Sequence, residues 1–194
     1  MKRWLALACL TILLTGCGYG DFQRQDAYVQ AKWKDVLQQY QRRADLIPRV
    51  VATVKVQPNF EPSALTRLID ARSKVAIIPA APELLDHPDA FAQFQQAQDE
   101  LSGALRHLIA VAERYPHLQT NPAFRGMRNT LAGADYHLTI AHDAYLHAAQ
   151  EYNALARSFP SNITGLVLGY RTKPKFTSHH KATAVSIAKT DFPS

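Results

Sequence analysis

Six charged residues have the types and the setting to bind or transform something. Arg42, Arg43 and Asp45 fall within QRRADLIP, and Arg72, Glu113 and Asp135 follow later in the chain. If folding gathers them, guanidinium forks beside carboxylates can line a polar pocket that takes an anionic group through paired N–H bonds. The same set can instead form an internal ion-pair network that holds helices in register, the better attested use of buried charge. That structural role is the expected one, because no catalytic order or spacing is visible among the six.

Histidines supply a second candidate. His137, His142 and His147 share one segment, but at intervals of five residues successive rings on a helix rotate by about 140° and cannot share a face. Helical metal pairs use three or four residues instead, and His179-His180 has no neighbouring carboxylate. No metal site is expected. The chain contains no HExxH, GxSxG, P-loop or dinucleotide fingerprint, so it reads as a protein that is not an enzyme and uses no cofactor.

Both cysteines, Cys9 and Cys17, precede the body of the protein, which excludes a disulfide framework or a cysteine metal site there. The chain begins with Lys2 and Arg3, followed by an apolar run from Trp4 to Leu14. That run has signal-peptide length and falls short of the roughly 18 residues a spanning helix needs. Leu14-Thr15-Gly16-Cys17 then resembles the bacterial lipobox at all four positions. In lipoproteins of that kind the cysteine thiol takes a diacylglyceryl group, the preceding peptide bond is cut, and the new amino terminus is often acylated as well, for instance with palmitate. Each buried CH₂ adds about 0.8 kcal/mol, so several chains anchor far more firmly than one. The expected organisation is a signal peptide at 1–16, lipid attachment at Cys17 and a short flexible tether over 17–27, with Tyr19 and Phe22 at the lipid headgroups. Gly18, in the place where an aspartate favours inner-membrane retention, points toward the outer membrane.

Across 194 residues, 47% are hydrophobic, a composition for one globular domain with a substantial core. The formal charge of +6 falls to +4 once Lys2 and Arg3 are removed with the leader. So mild an excess suits anionic surfaces such as phospholipid. No aromatic-rich basic face or binding motif accompanies it, and no nucleic acid partner is expected.

The elements that must position these residues are helices. Val29, Trp33, Val36, Tyr40, Ala44, Ile47, Val51 and Val54 step by three and four, which predicts one amphipathic helix kinked at Pro48. Pro62 opens a second, with Leu65, Leu68, Arg72 and Val75 on its stripe. Residues 78–88 hold three prolines and read as an irregular crossover. A third helix carries Phe94, Ala97, Leu101, Leu105, Leu108, Ala112 and Tyr115, ending at Pro116. Asn121-Pro122 caps a fourth, in which Phe124, Met127, Leu131, Ala134, Leu138, Ala141, Tyr145, Ala148, Tyr152, Leu155 and Phe159 repeat like a heptad. For TGLVLGY, residues 164–170, periodicity leaves a capping turn and a short helix both open. Residues 177–194 read as a loose basic tail.

Gln41 to Pro48, with Val51 and Thr53-Val54-Lys55, resembles the signature of the LemA family. Matches continue in order through Glu61, Ala71-Arg72, the LIAVAERYPHL segment at 108–118 and Asn121 to Phe124. They end with Glu151-Tyr152-Asn153, Ser158-Phe159-Pro160, Gly169-Tyr170 and Lys173 to Phe176. The resemblance covers 28–176 and implies an all-helical bundle attached to a membrane, with no established enzymatic activity. The chain departs from the family pattern at its lipobox, which replaces an uncleaved spanning helix. It also departs at Asp135, His142 and Leu146, where glutamate, arginine and asparagine are usual.

The whole reading is an all-α protein: an elongated antiparallel bundle of about four helices, one or two of them very long, held on the cell envelope by a lipid. Its expected role is a non-enzymatic scaffold that binds another envelope protein. The alternative is a bundle that binds a ligand or lipid through the Arg/Asp cluster.

Overall fold

The computed structural model describes residues 2–159 and 161–176, with side chains from Gly20 onward other than those at 164 and 168. Helical periodicity becomes helix along nearly all of this length: α1 Lys2–Lys55, α2 Pro62–Ile77, α3 Pro88–Ala112, α4 Pro116–Thr120, α5 Pro122–Arg157 and α6 Ser161–Leu168. A 3₁₀ turn, Pro82–Asp86, sits in the crossover, and the described residues contain no strand. Proline opens α2, the 3₁₀ turn, α3, α4 and α5, where its fixed φ suits a first turn and its missing N–H has no partner to lose. Asn121 caps α5 as expected, its Oδ1 accepting from Ala123 N at 2.8 Å.

The fold is the all-α bundle anticipated. α1 and α5 run antiparallel, joined by Gln25–Glu151 near one end and Arg43–Asp135 further along. α2 and α3 form a second antiparallel pair, bridged by Glu61–Arg114 and Lys74–Glu100. α3 lies alongside α1 in the same direction, since Trp33, Tyr40 and Arg43 meet Phe91, Phe94 and Gln98 in order.

Several details differ from the expectations. α1 buries Val29, Trp33, Val36, Tyr40, Arg43, Ile47, Val50 and Val54, a strict alternation of four and three that matches a coiled-coil seam. Arg43 and Val50 thus take the places assigned to Ala44 and Val51. The helix runs on through Pro48, which faces solvent, where water can hydrate the carbonyl left without its bond. It is also helical across 17–27, so no tether interrupts it, and Phe22 is fully buried rather than turned to headgroups. On α2 the buried stripe is Ala64, Leu68 and Ala71, and Arg72 is exposed. Phe159 leaves the α5 seam and is 79% exposed. Residues 164–170 resolve into α6, closed by Gly169 at φ +73°, with Tyr170 N bonding to Gly165 O at 2.9 Å in a Schellman turn.

Two hydrophobic clusters share the interior. The first joins Ile47, Val50 and Val54 to Leu68, Leu101, Leu105, Leu108 and Leu131, with Phe60 and Phe124. The second gathers Phe22, Trp33, Tyr40, Phe91, Phe94, Tyr145 and Tyr152 with the 3₁₀-turn residues Leu84 and Leu85. Arg43 sits between them on the α1 seam.

Candidate functional site

Folding brings only part of the six-residue set together. Arg43 is 1% exposed, the one buried member. Its Nη1 donates to Ser102 Oγ at 2.7 Å and its Nη2 to Gln98 Oε1 at 2.9 Å, both on α3. Ser102 Oγ in turn donates to Gln98 O at 2.7 Å. Asp135, on α5, approaches Arg43 Nη1 at 3.7 Å with 62% of its side chain exposed. That distance is too long for a good hydrogen bond, so Asp135 offsets charge rather than fixing geometry. The guanidinium also lies 5.3 Å from the Tyr40 ring centre, within cation–π range. Burial pushes the Arg43 pKa down, opposed by Tyr40 and Asp135. Burial also pushes the Tyr40 hydroxyl up against the pull of Arg43.

The other members disperse. Arg42 and Arg72 are exposed, and Asp45 is exposed with its carboxylate accepting from Gln41 at 2.8 Å. Glu113 pairs with Arg128 at 3.1 Å on the surface. The arrangement therefore ties α1 to α3 and α5 through one buried cation. A hollow of about 1120 Å³ between α2 and α3 carries both signs of charge, from Arg67 and Lys74 to Asp70 and Glu100, and converges on no single chemistry. His137 and His147 are exposed, whereas His142 is half-buried with Nε2 2.9 Å from Tyr40 Oη.

A second polar centre lies where the chain returns after α6. Residues 171–176 form an extended strap along α5. Asn153 holds its backbone from both sides, Nδ2 donating to Lys173 O at 3.0 Å and Oδ1 accepting from Lys173 N at 2.8 Å. Tyr145 Oη donates to Pro174 O at 2.8 Å. Lys173 Nζ, its side chain 7% exposed, bridges Asp26 at 2.9 Å and Asp86 at 3.0 Å. Desolvation lowers the Lys173 pKa, but the bonds to those two carboxylates and their charges outweigh it, and the net shift is upward. Phe176 finishes the strap by stacking on His142, with ring centres 4.2 Å apart. Reasoning from the sequence did not identify Lys173 and Asn153 as structural centres. The available signal was an asparagine on a seam of apolar residues, followed by a basic segment, Arg171 to Lys175, held between Tyr170 and Phe176.

The LemA family model matches residues 32–192. The chain belongs to the LemA family. The match contains the buried arginine, the first core cluster, all of the second except Phe22 and Val29, and the strap, and runs past Phe176 into the segment read as a tail. Residues 177–194 lie outside the described residues, as do the side chains of the lipobox, Cys17 among them. No curated protein matches the chain. Among the described residues, no helix is long and apolar enough to cross a membrane.

Proposed function

We propose that the chain is a lipid-anchored protein of the bacterial envelope whose LemA bundle serves as a non-enzymatic scaffold for another envelope protein. The single observation carrying the anchor is the ordered succession of Lys2-Arg3, the apolar run to Leu14 and the four lipobox residues ending at Cys17. The scaffold role is supported by how the candidate charges are used. Arg43 directs its donors to Ser102 and Gln98 inside the bundle, and Arg42, Asp45 and Arg72 diverge into solvent. An anion-gripping pocket needs those groups to converge, which weighs against the ligand-binding reading.

Cys17→Ser tests the anchor. The variant should accumulate as a precursor retaining residues 1–16, without the mass of a diacylglyceryl group. Normal processing and lipid labelling of that variant would refute the anchor. The scaffold is tested by crosslinking the native protein in intact envelopes, followed by mass spectrometry. A reproducible protein adduct on the bundle is expected, and repeated recovery of the uncrosslinked protein alone would count against it.

A further inference from the structure

Among the described residues, α6 packs against α1 and α5 and leaves one face uncovered. Gly165 is the point of contact: a Cβ built there would lie 3.2 Å from the Phe22 ring, so the helix sits close because it has no side chain at that position. On a helix, residues 163, 166 and 167 share a face roughly opposite 165. Those residues are Ile163, Leu166 and Val167, exposed by 54%, 85% and 78%, with Phe159 just before the helix at 79%. Single exposed apolar residues are ordinary, but three on one face of a short helix, with a fourth just before it, mark an interaction surface.

The position of the cluster identifies what covers it. Phe22 lies five residues beyond Cys17 on the same helix, a rise of roughly 8 Å, so α6 stands at the end of the bundle that carries the lipobox. Arg24, Arg157 and Arg171, close to Phe22 or to α6 along the chain, are exposed, with Asp21 already paired to Arg24. A short helix with bulky apolar side chains on one face and arginines at its margins suits the headgroup–acyl boundary of an anionic bilayer.

We infer that α6 is a second membrane contact, its Phe159, Ile163, Leu166 and Val167 entering the interface beside the lipidated cysteine. The inference rests on the anchor reading for its orientation. It adds that the bundle touches the bilayer through protein as well as through acyl chains, which fixes the tilt of α1 in a way that a lipid alone does not.

Leu166→Trp and Val56→Trp in the full-length protein test this, because position 56 is also 71% exposed but lies beyond the opposite end of α1. Each protein is purified from membranes and reconstituted into vesicles of phosphatidylethanolamine and phosphatidylglycerol carrying brominated acyl chains. Emission is read against the unsubstituted protein, in which Trp33 is buried. The indole introduced by Leu166→Trp should shift to the blue and lose roughly half its emission to bromine, as expected for a ring at the acyl boundary. The indole introduced by Val56→Trp should lose none. Unquenched, solvent-like emission from the Leu166→Trp protein overturns the inference. So does a blue shift without quenching that fades on dilution, the signature of a second copy covering the face. Intact mass reads the anchor separately. A diacylglyceryl adduct with an unquenched indole on α6 refutes the α6 contact alone, and an unmodified Cys17 with a quenched one refutes the anchor alone.

Discussion

Around Leu68, Leu105 and Leu108 the bundle is filled by aliphatic side chains drawn mostly from neighbouring turns of α1, α2 and α3. Around Trp33 it is filled by rings, and they come from far apart: Trp33 touches Phe91, Tyr145 and Phe176. The first region needs only area, because hydrophobic burial is non-directional. The second also satisfies polar groups, since Trp33 donates to Ala81 O at 3.2 Å, Tyr145 to Pro174 O, and Asn153 to the strap. Directional bonds pin two irregular segments, the crossover and the strap, onto the helices. The aliphatic half can tolerate conservative exchange, whereas the aromatic half depends on partners that must all be present. Arg43 divides the two.

Removing that divider should have the largest effect. Arg43→Ala leaves a cavity on the seam and leaves Gln98 Oε1 without its donor, at an expected cost of about 3–5 kcal/mol in urea unfolding. Arg43→Met keeps most of the volume and removes the buried charge, so it should fall within about 1.5 kcal/mol of the native protein. Equal losses from the two would mean that the charge itself, not the filled seam, joins the halves.

Alkaline pH should separate the halves by chemistry. Burial pushes the Tyr152 hydroxyl up to about 12, and Tyr145 and Lys173 are raised as well. A group whose folded pKa is raised contributes fully below its unfolded value and loses that contribution as pH climbs through the folded one. The window therefore opens near about pH 10, the ordinary value for tyrosine and lysine. The buried residues of the aliphatic cluster include no titratable group. Trp33 emission should shift to the red before far-UV helicity falls, and coincident transitions would show that the two regions melt as one.

The smallest effect sharpens the contrast within a single dipeptide. Arg42→Ala, one residue from the divider but exposed, should change stability by no more than about 0.5 kcal/mol. A loss comparable to that of Arg43→Ala would mean that position 42 bears a role the geometry assigns to 43.

Local signals carried most of this architecture. Proline starts, the Asn121 cap and the α5 repeat located helices because each acts within a turn or two. The seam of α1 was misphased because apolarity alone favours Ala44 over Arg43, although the alternation from Val29 to Tyr40 already points to 43. The candidate site was legible only at Arg43 and Asp135, since no spacing reveals which way a charged side chain faces once helices pair. The strap was the least visible. Its stability comes from Asn153 and Lys173 reaching across the fold to backbone and carboxylates, and contacts at that separation leave no period in the sequence.

One consequence of the unbroken α1 concerns reach. From Cys17 to Lys55 the helix climbs about 57 Å at roughly 1.5 Å per residue, with no flexible linker along that length. A coil of the same residue count would let its far end wander over a broad volume. A braced rod holds it at one height. The turn at Asn59, steadied by Tyr115 Oη donating to its carbonyl at 3.1 Å, would then stand at a set distance from the end proposed to carry the anchor. A partner meeting that tip would do so at a level chosen by helix length, so inserting or deleting whole heptads in α1 and α5 together would move the meeting point as a spacer moves a shelf.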